Sequence, residues 1–179
     1  MNLGGDATDG GSDAGDSDPS DGGGDGDSLA SGTGTCLDER EPVDADHVAM
    51  FTQLNDYRVA NGLEPLTYSW TLQEAADDYA ARMAAEDFFN HVAPDGNEPS
   101  DRAVAAGFCH PYVGENIAYG MNQLSLAAEA MAGFRNSPGH DANMLYPQWE
   151  HVGIGVMHVS GPQGNEYWWV QLFAMDADL

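Results

Sequence analysis

The chain has 179 residues, with 30 acidic side chains against five arginines, no lysine, and a formal net charge of −25 at pH 7. With so few cations it has no basic face to displace counterions from phosphate, which excludes nucleic acid as a partner and disfavours docking on anionic lipid. No apolar run approaches the ~20 residues that span a bilayer. The first 29 residues also lack the apolar core of an export signal, so the signal of a secreted protein would have to lie outside this sequence.

Charge and composition divide the chain. Met1 to Thr35 holds eight Asp, eleven Gly and five Ser, with no basic or aromatic residue. Such a segment has too little apolar surface to offset the entropy of ordering, so residues 1–40 are expected to form a disordered, self-repelling linker. Asp16, Asp18 and Ser20 imitate the start of an EF-hand loop. However, Asp21 stands where that loop needs Gly, and Asp27 where it needs a bidentate Glu. Residues 36–179 keep 22 acids and five arginines, a net charge of −17, and nearly all the large apolar side chains. The span 41–179 is long enough for one ordinary core. Cys36 and Cys109 are the two cysteines. In an oxidising compartment a bridge between them would pin the start of the domain to its middle and contribute ~2–4 kcal/mol. The alternative is two unrelated thiols.

The periodicity predicts a helix over Val43–Asn61, with Val48, Phe51, Leu54 and Tyr57 on one stripe and Gly62 at its end. Pro65 marks an extended connector. A second helix carries Leu72, Ala76, Tyr79, Ala80 and Met83 on one face, opened by a Thr71-x-x-Glu74 capping box and ending near Phe88 or Phe89. His91 to Gly96 is turn chemistry, and a short helix spans Pro99–Ala106. A further helix is expected over Leu124–Phe134, and a short one from Pro138, capped by Ser137, to Leu145. Val152–Val159 and Tyr167–Ala174 read as a β-hairpin. Helices first and strands last make an α+β layered fold. Gly153 and Gly155 imply that something packs closely on their strand. The Trp168-Trp169 pair offers one ring to each face of its strand, one to the core and the other to the rim.

Nucleophile elbows, H-E-x-x-H, phosphate-binding Gly loops and paired C-x-x-C are all missing. What remains are Phe89-Asn90-His91, Gly114-Glu115-Asn116-Ile117 and Ser137-Pro138-Gly139-His140 with Asn143-Met144-Leu145. Leu54-Asn55-x-x-Arg58, Pro99-x-x-Arg102, His151-Val-Gly-Ile-Gly155 and Tyr167-x-x-Val170-Gln171 accompany them. In this order the motifs resemble the CAP superfamily: cysteine-rich secretory proteins, antigen 5 and plant pathogenesis-related proteins. The nearest resemblance is to its bacterial extracellular SCP-like branch.

The resemblance covers about Val48 to Ala174. It implies a three-layer α-β-α sandwich with a small, mostly antiparallel sheet. It also implies a cleft where His91, His140 and Glu115 meet. A second family acid falls near Ser137, which is not acidic, and Glu129 is the nearest substitute. The family's usual Trp is Phe134 here. Family members are secreted, and lipid or sterol binding, signalling and, for some, proteolysis have been attributed to them.

Two neutral imidazoles and a carboxylate are a fair first shell for zinc or another divalent cation, with water in the fourth position. Alternatively, Glu115 accepts hydrogen bonds that orient His91 or His140. Asn116 and Asn143 are expected to satisfy backbone groups around the cleft, while Arg58 and Arg102 pair with half-buried acids. His47, His110, His151 and His158 read as structural. The expectation is a monomeric extracellular or cell-envelope binding module for a small molecule, lipid or extracellular partner. A zinc hydrolase with Glu115 as base, or a purely adhesive domain, are the competing readings.

Overall fold

Five helices and four strands follow one another along the described residues, and most of the boundaries follow from local chemistry. α1 (Ala45–Ala60), β1 (Thr67–Tyr68), α2 (Trp70–Glu86) and α3 (Pro99–Ala105) come first, followed by β2 (Val113–Met121). The chain continues through α4 (Ala127–Arg135), α5 (Pro138–Met144), β3 (His151–Gly161) and β4 (Gly164–Ala174). This computed structural model describes residues 40–42, 44–109, 112–122 and 124–175. The expected linker (apart from Arg40), the EF-hand-like acids, Cys36 and His110 lie outside them.

The sheet runs β1-β3-β4-β2, with β1 parallel to β3 and the other pairs antiparallel. α2 and α3 cover one face over a core of Leu72, Ala76, Tyr79, Ala103, Ile117, Trp168, Val170 and Leu172. α1, α4 and α5 supply the other, with Met50, Leu54, Met131, Phe134 and Met144 packed on Val152, Ile154, Trp169 and Phe173. This is the α-β-α sandwich that the resemblance implies.

The tight packing expected at Gly153 and Gly155 is present. A Cβ on either would lie well inside 3.0 Å of α2 backbone, at Leu72 and Gln73 or at Ala76 and Asp77. β3 therefore turns Val152 and Ile154 towards one core and a bare backbone towards the α2 axis. Replacing either glycine would push the helix off the sheet.

Several sequence expectations need correction. α2 is capped by Ser69, whose hydroxyl accepts from the Leu72 amide, rather than by Thr71. The buried stripe of α1 is His47, Met50, Leu54 and Arg58. Val48 is exposed because the helix is rotated away from the spacing-three reading, so that a histidine and an arginine face inward. The fourth helix begins at Ala127, and Leu124 sits before it at φ +60°. Trp168 and Trp169 are both buried, each in a different core. β2 was not expected from the sequence. Its polar and small residues give no apolar alternation, and as the edge strand it buries little more than Asn116, Ile117 and Gly120.

Candidate functional site

The edge strand carries the site. In β2, Glu115 and Ile117 face the α2–α3 layer, while Asn116 faces the α5 side. A site straddling this edge can therefore draw one group from each helical layer.

From the α2 side comes His91, in the loop after α2. Its Nδ1 lies 2.8 Å from Glu115 Oε1. A carboxylate only accepts, so Nδ1 carries a hydrogen; in the neutral ring Nε2 is then the accepting nitrogen. The imidazole is 48% exposed, whereas the Glu115 side chain is only 2% exposed. The other carboxylate oxygen, Oε2, accepts from the Arg102 guanidinium at 2.6 Å. Arg102 also donates to the carbonyls of Asn97 and His91, at 3.0 and 3.1 Å, and its guanidinium lies 3.3 Å from the Tyr79 ring centroid. The Tyr79 hydroxyl donates to Asn90 O at 2.5 Å. Burial pushes that phenol up to about 12, so it stays a donor. A core tyrosine, an arginine and a buried carboxylate thus fix the loop and the ring plane of His91 together.

His140 arrives from the α5 side. Its carbonyl accepts from Asn116 Nδ2 at 3.1 Å, and its ring packs edge-on against Phe134 at 5.3 Å. The same Asn116 amide reaches Gln171, and its oxygen accepts from Asn143 at 3.0 Å. Asn143 in turn accepts from the Trp149 indole. That indole lies over Gly114, where a Cβ would collide with it. Asn116 and Asn143 therefore hold α5 to the edge strand; of the two, the Asn116 side chain satisfies a backbone group, the His140 carbonyl, while the Asn143 side chain bonds to Asn116 and Trp149. Burial lowers the His140 pKa from its ordinary value, and repulsion from His91 lowers it further, which marks the two rings as electrostatic neighbours.

The expected three-ligand metal set is not assembled. Both Glu115 oxygens are already committed, to His91 and Arg102. Among the described residues, no three His, Cys, Asp or Glu side chains are grouped to hold a metal ion. The residues present fit two imidazoles with an orienting carboxylate, and they do not fit a two-histidine, one-carboxylate zinc centre.

Glu129 accepts from the Leu126 amide and the Ser125 hydroxyl at the start of its own helix. Ser137 is the N-cap residue of α5 without a side-chain cap bond. Among the described residues Arg58 pairs with no acid. It is buried and donates to the carbonyls of Glu64, Met144, Tyr146 and Trp149, tying α1 to the segment after α5. Arg102 does pair with one, though nothing in the sequence pointed to Glu115, 13 residues away, as its partner. The Cys36–Cys109 pairing lies outside the described residues.

The sequence model of the cysteine-rich secretory protein family (CAP) matches residues 51–173, the stretch that builds both cores and the site. The chain belongs to that family. It is 30% identical to the Bacillus subtilis protein YkwD over 129 residues, which are 72% of this chain and 49% of YkwD. It therefore spans about half the length of that relative. Two solved structures share the fold at a TM-score of 0.62. An outer surface protein of Borrelia burgdorferi is 19% identical, over 74% of this chain and 96% of that one. An extracellular SCP-domain protein of Bacillus anthracis is 24% identical, over 76% and 45%. No helix among the described residues is long and apolar enough to cross a membrane.

Proposed function

We propose that this CAP domain is an extracellular, monomeric binding module whose recognition point is the His91–His140 pair at the edge of β2. One observation carries the reading: the Arg102–Glu115 pair fixes the half-exposed His91 through its Nδ1, with His140, whose pKa is lowered by burial and by His91, as its electrostatic neighbour. Such a pair takes a donor group of a small ligand. With water completing the shell, it takes a divalent cation such as zinc more weakly than a three-ligand site does. The surface and extracellular character of the similar solved proteins supports the location. The large net negative charge supports a partner that is not polyanionic.

The hydrolase alternative is less well supported, because the Glu115 side chain is only 2% exposed and each of its oxygens already accepts from His91 or Arg102, leaving little access for water. Calorimetric titration of the full chain with Zn²⁺, read together with the imidazole NMR resonances of His91 and His140, tests the site. Both rings should shift together, and His91→Ala with His140→Ala should abolish the heat. Absent heat with unmoved resonances, or equal heat in the double variant, removes cation binding at the pair. A small ligand that moves neither ring would leave the module reading without a site.

A further inference from the structure

We infer that the surface over Trp168, four residues along β2 from the Glu115 that orients His91, is a shelf for a neutral saccharide that extends the recognition point into an elongated site. The inference rests on the binding reading above for one end of the ligand only. Tyr119 stands on the same face of β2 as Glu115, four residues on and opposite Trp168. At about 3.3 Å per residue that separates them by ~13 Å, the length of a short oligosaccharide. Asp87, in the left-handed conformation at φ 54°, ends α2 and starts the segment that brings Phe89 to the same place. The Phe89 ring centroid lies 6.3 Å from Tyr119 and 6.1 Å from Trp168, and the Tyr119 and Trp168 centroids are 4.2 Å apart. Phe89 is 49% and Tyr119 38% exposed, with Met121 at 43% continuing the apolar strip.

A second, independent feature points to a ligand. Trp168 is only 3% exposed, and its indole N–H has no acceptor among the described residues. A buried donor left without a partner is costly, and it belongs to the ring on which the two exposed rings pack. A sugar satisfies both features. Its C–H face lies on Phe89 and Tyr119, and a hydroxyl or ring oxygen reaches the indole once Phe89 tilts aside. An acyl chain would leave that donor unpaired. Cavities of about 320 and 290 Å³ lie elsewhere, between α1 and α4 and between α2 and α3. Sulfated or uronic glycans are disfavoured because they meet a domain of net charge −17.

The test is ¹H–¹⁵N NMR of the full chain titrated with maltotriose, cellotriose and chitotriose, with a heparin-derived oligosaccharide and decanoate alongside. At least one neutral trisaccharide should shift the Trp168 indole resonance and weaken roughly tenfold in Phe89→Ala and in Tyr119→Ala, both surface changes. The proposal is overturned if no neutral trisaccharide moves that resonance, if decanoate or the heparin fragment moves it instead, or if both variants bind unchanged. A shift at Trp168 that survives His91→Ala keeps the shelf even where the imidazole site fails. A shift at the His91 ring alone keeps the imidazole site and removes the shelf.

Discussion

Removing the Arg102 guanidinium should damage the fold and the site in a way that tells the two apart. In Arg102→Ala the Glu115 carboxylate, 2% exposed, loses its guanidinium contact at 2.6 Å. The carbonyls of His91 and Asn97 lose donors at 3.1 and 3.0 Å, and the Tyr79 ring loses the cation stacked 3.3 Å from its centre. Breaking a buried pair from one side costs about 3–5 kcal/mol, because a charge is left stranded. Against a total stability of about 5–15 kcal/mol, and for a domain of this size, that lowers the melting temperature by roughly 10–20 °C. Glu115→Gln in the same chain, with Arg102→Met to keep the volume, removes the stranded charge and should recover most of the loss. Thermal unfolding of wild type, both single variants and the double variant gives the coupling energy directly. The NMR tautomer of His91 gives the functional readout: the Nδ1–H form should be lost with Arg102→Ala. A melting temperature within about 2 °C of wild type in Arg102→Ala would refute a buried pair that carries the loop. An unchanged tautomer would refute the anchoring of His91 through Glu115.

Three further outcomes follow from other parts of the fold. Gly153→Ala places a methyl inside the α2 backbone at Leu72 and Gln73 and should destabilise by at least about 1–3 kcal/mol in urea unfolding, whereas Gly139→Ala, with open space around it, should not. His140 is depressed in the folded state, so below pH ~6.5 the unfolded chain binds more protons. Stability should therefore fall as pH drops from about 6.5 towards the folded pKa and be flat above it, and His140→Gln should flatten that limb of the unfolding-midpoint profile. If Cys36 and Cys109 are bridged, peptide mapping without reductant will recover them linked, and reduction will cost about 2–4 kcal/mol of stability; a pair recovered as free thiols ends that expectation.

From the sequence alone, the apolar stripe of α2, the β3–β4 hairpin and the two glycines facing α2 were legible. Each is a local pattern whose period or missing side chain already states what must lie beside it. His91, Glu115 and His140 could be named because their short motifs stand in a recognisable order. What they do to one another was decided by tertiary structure. β2 is a strand only because β4 offers it an edge, and Glu115 becomes an orienting group rather than a metal ligand only because α3 brings Arg102 to its second oxygen. The burial of Trp168 and the inward turn of Arg58 belong to the same class. Propensity and periodicity act over a few residues, whereas a carboxylate's partner, and hence its chemistry, is chosen by whatever the packed layers carry to within about 3 Å of it.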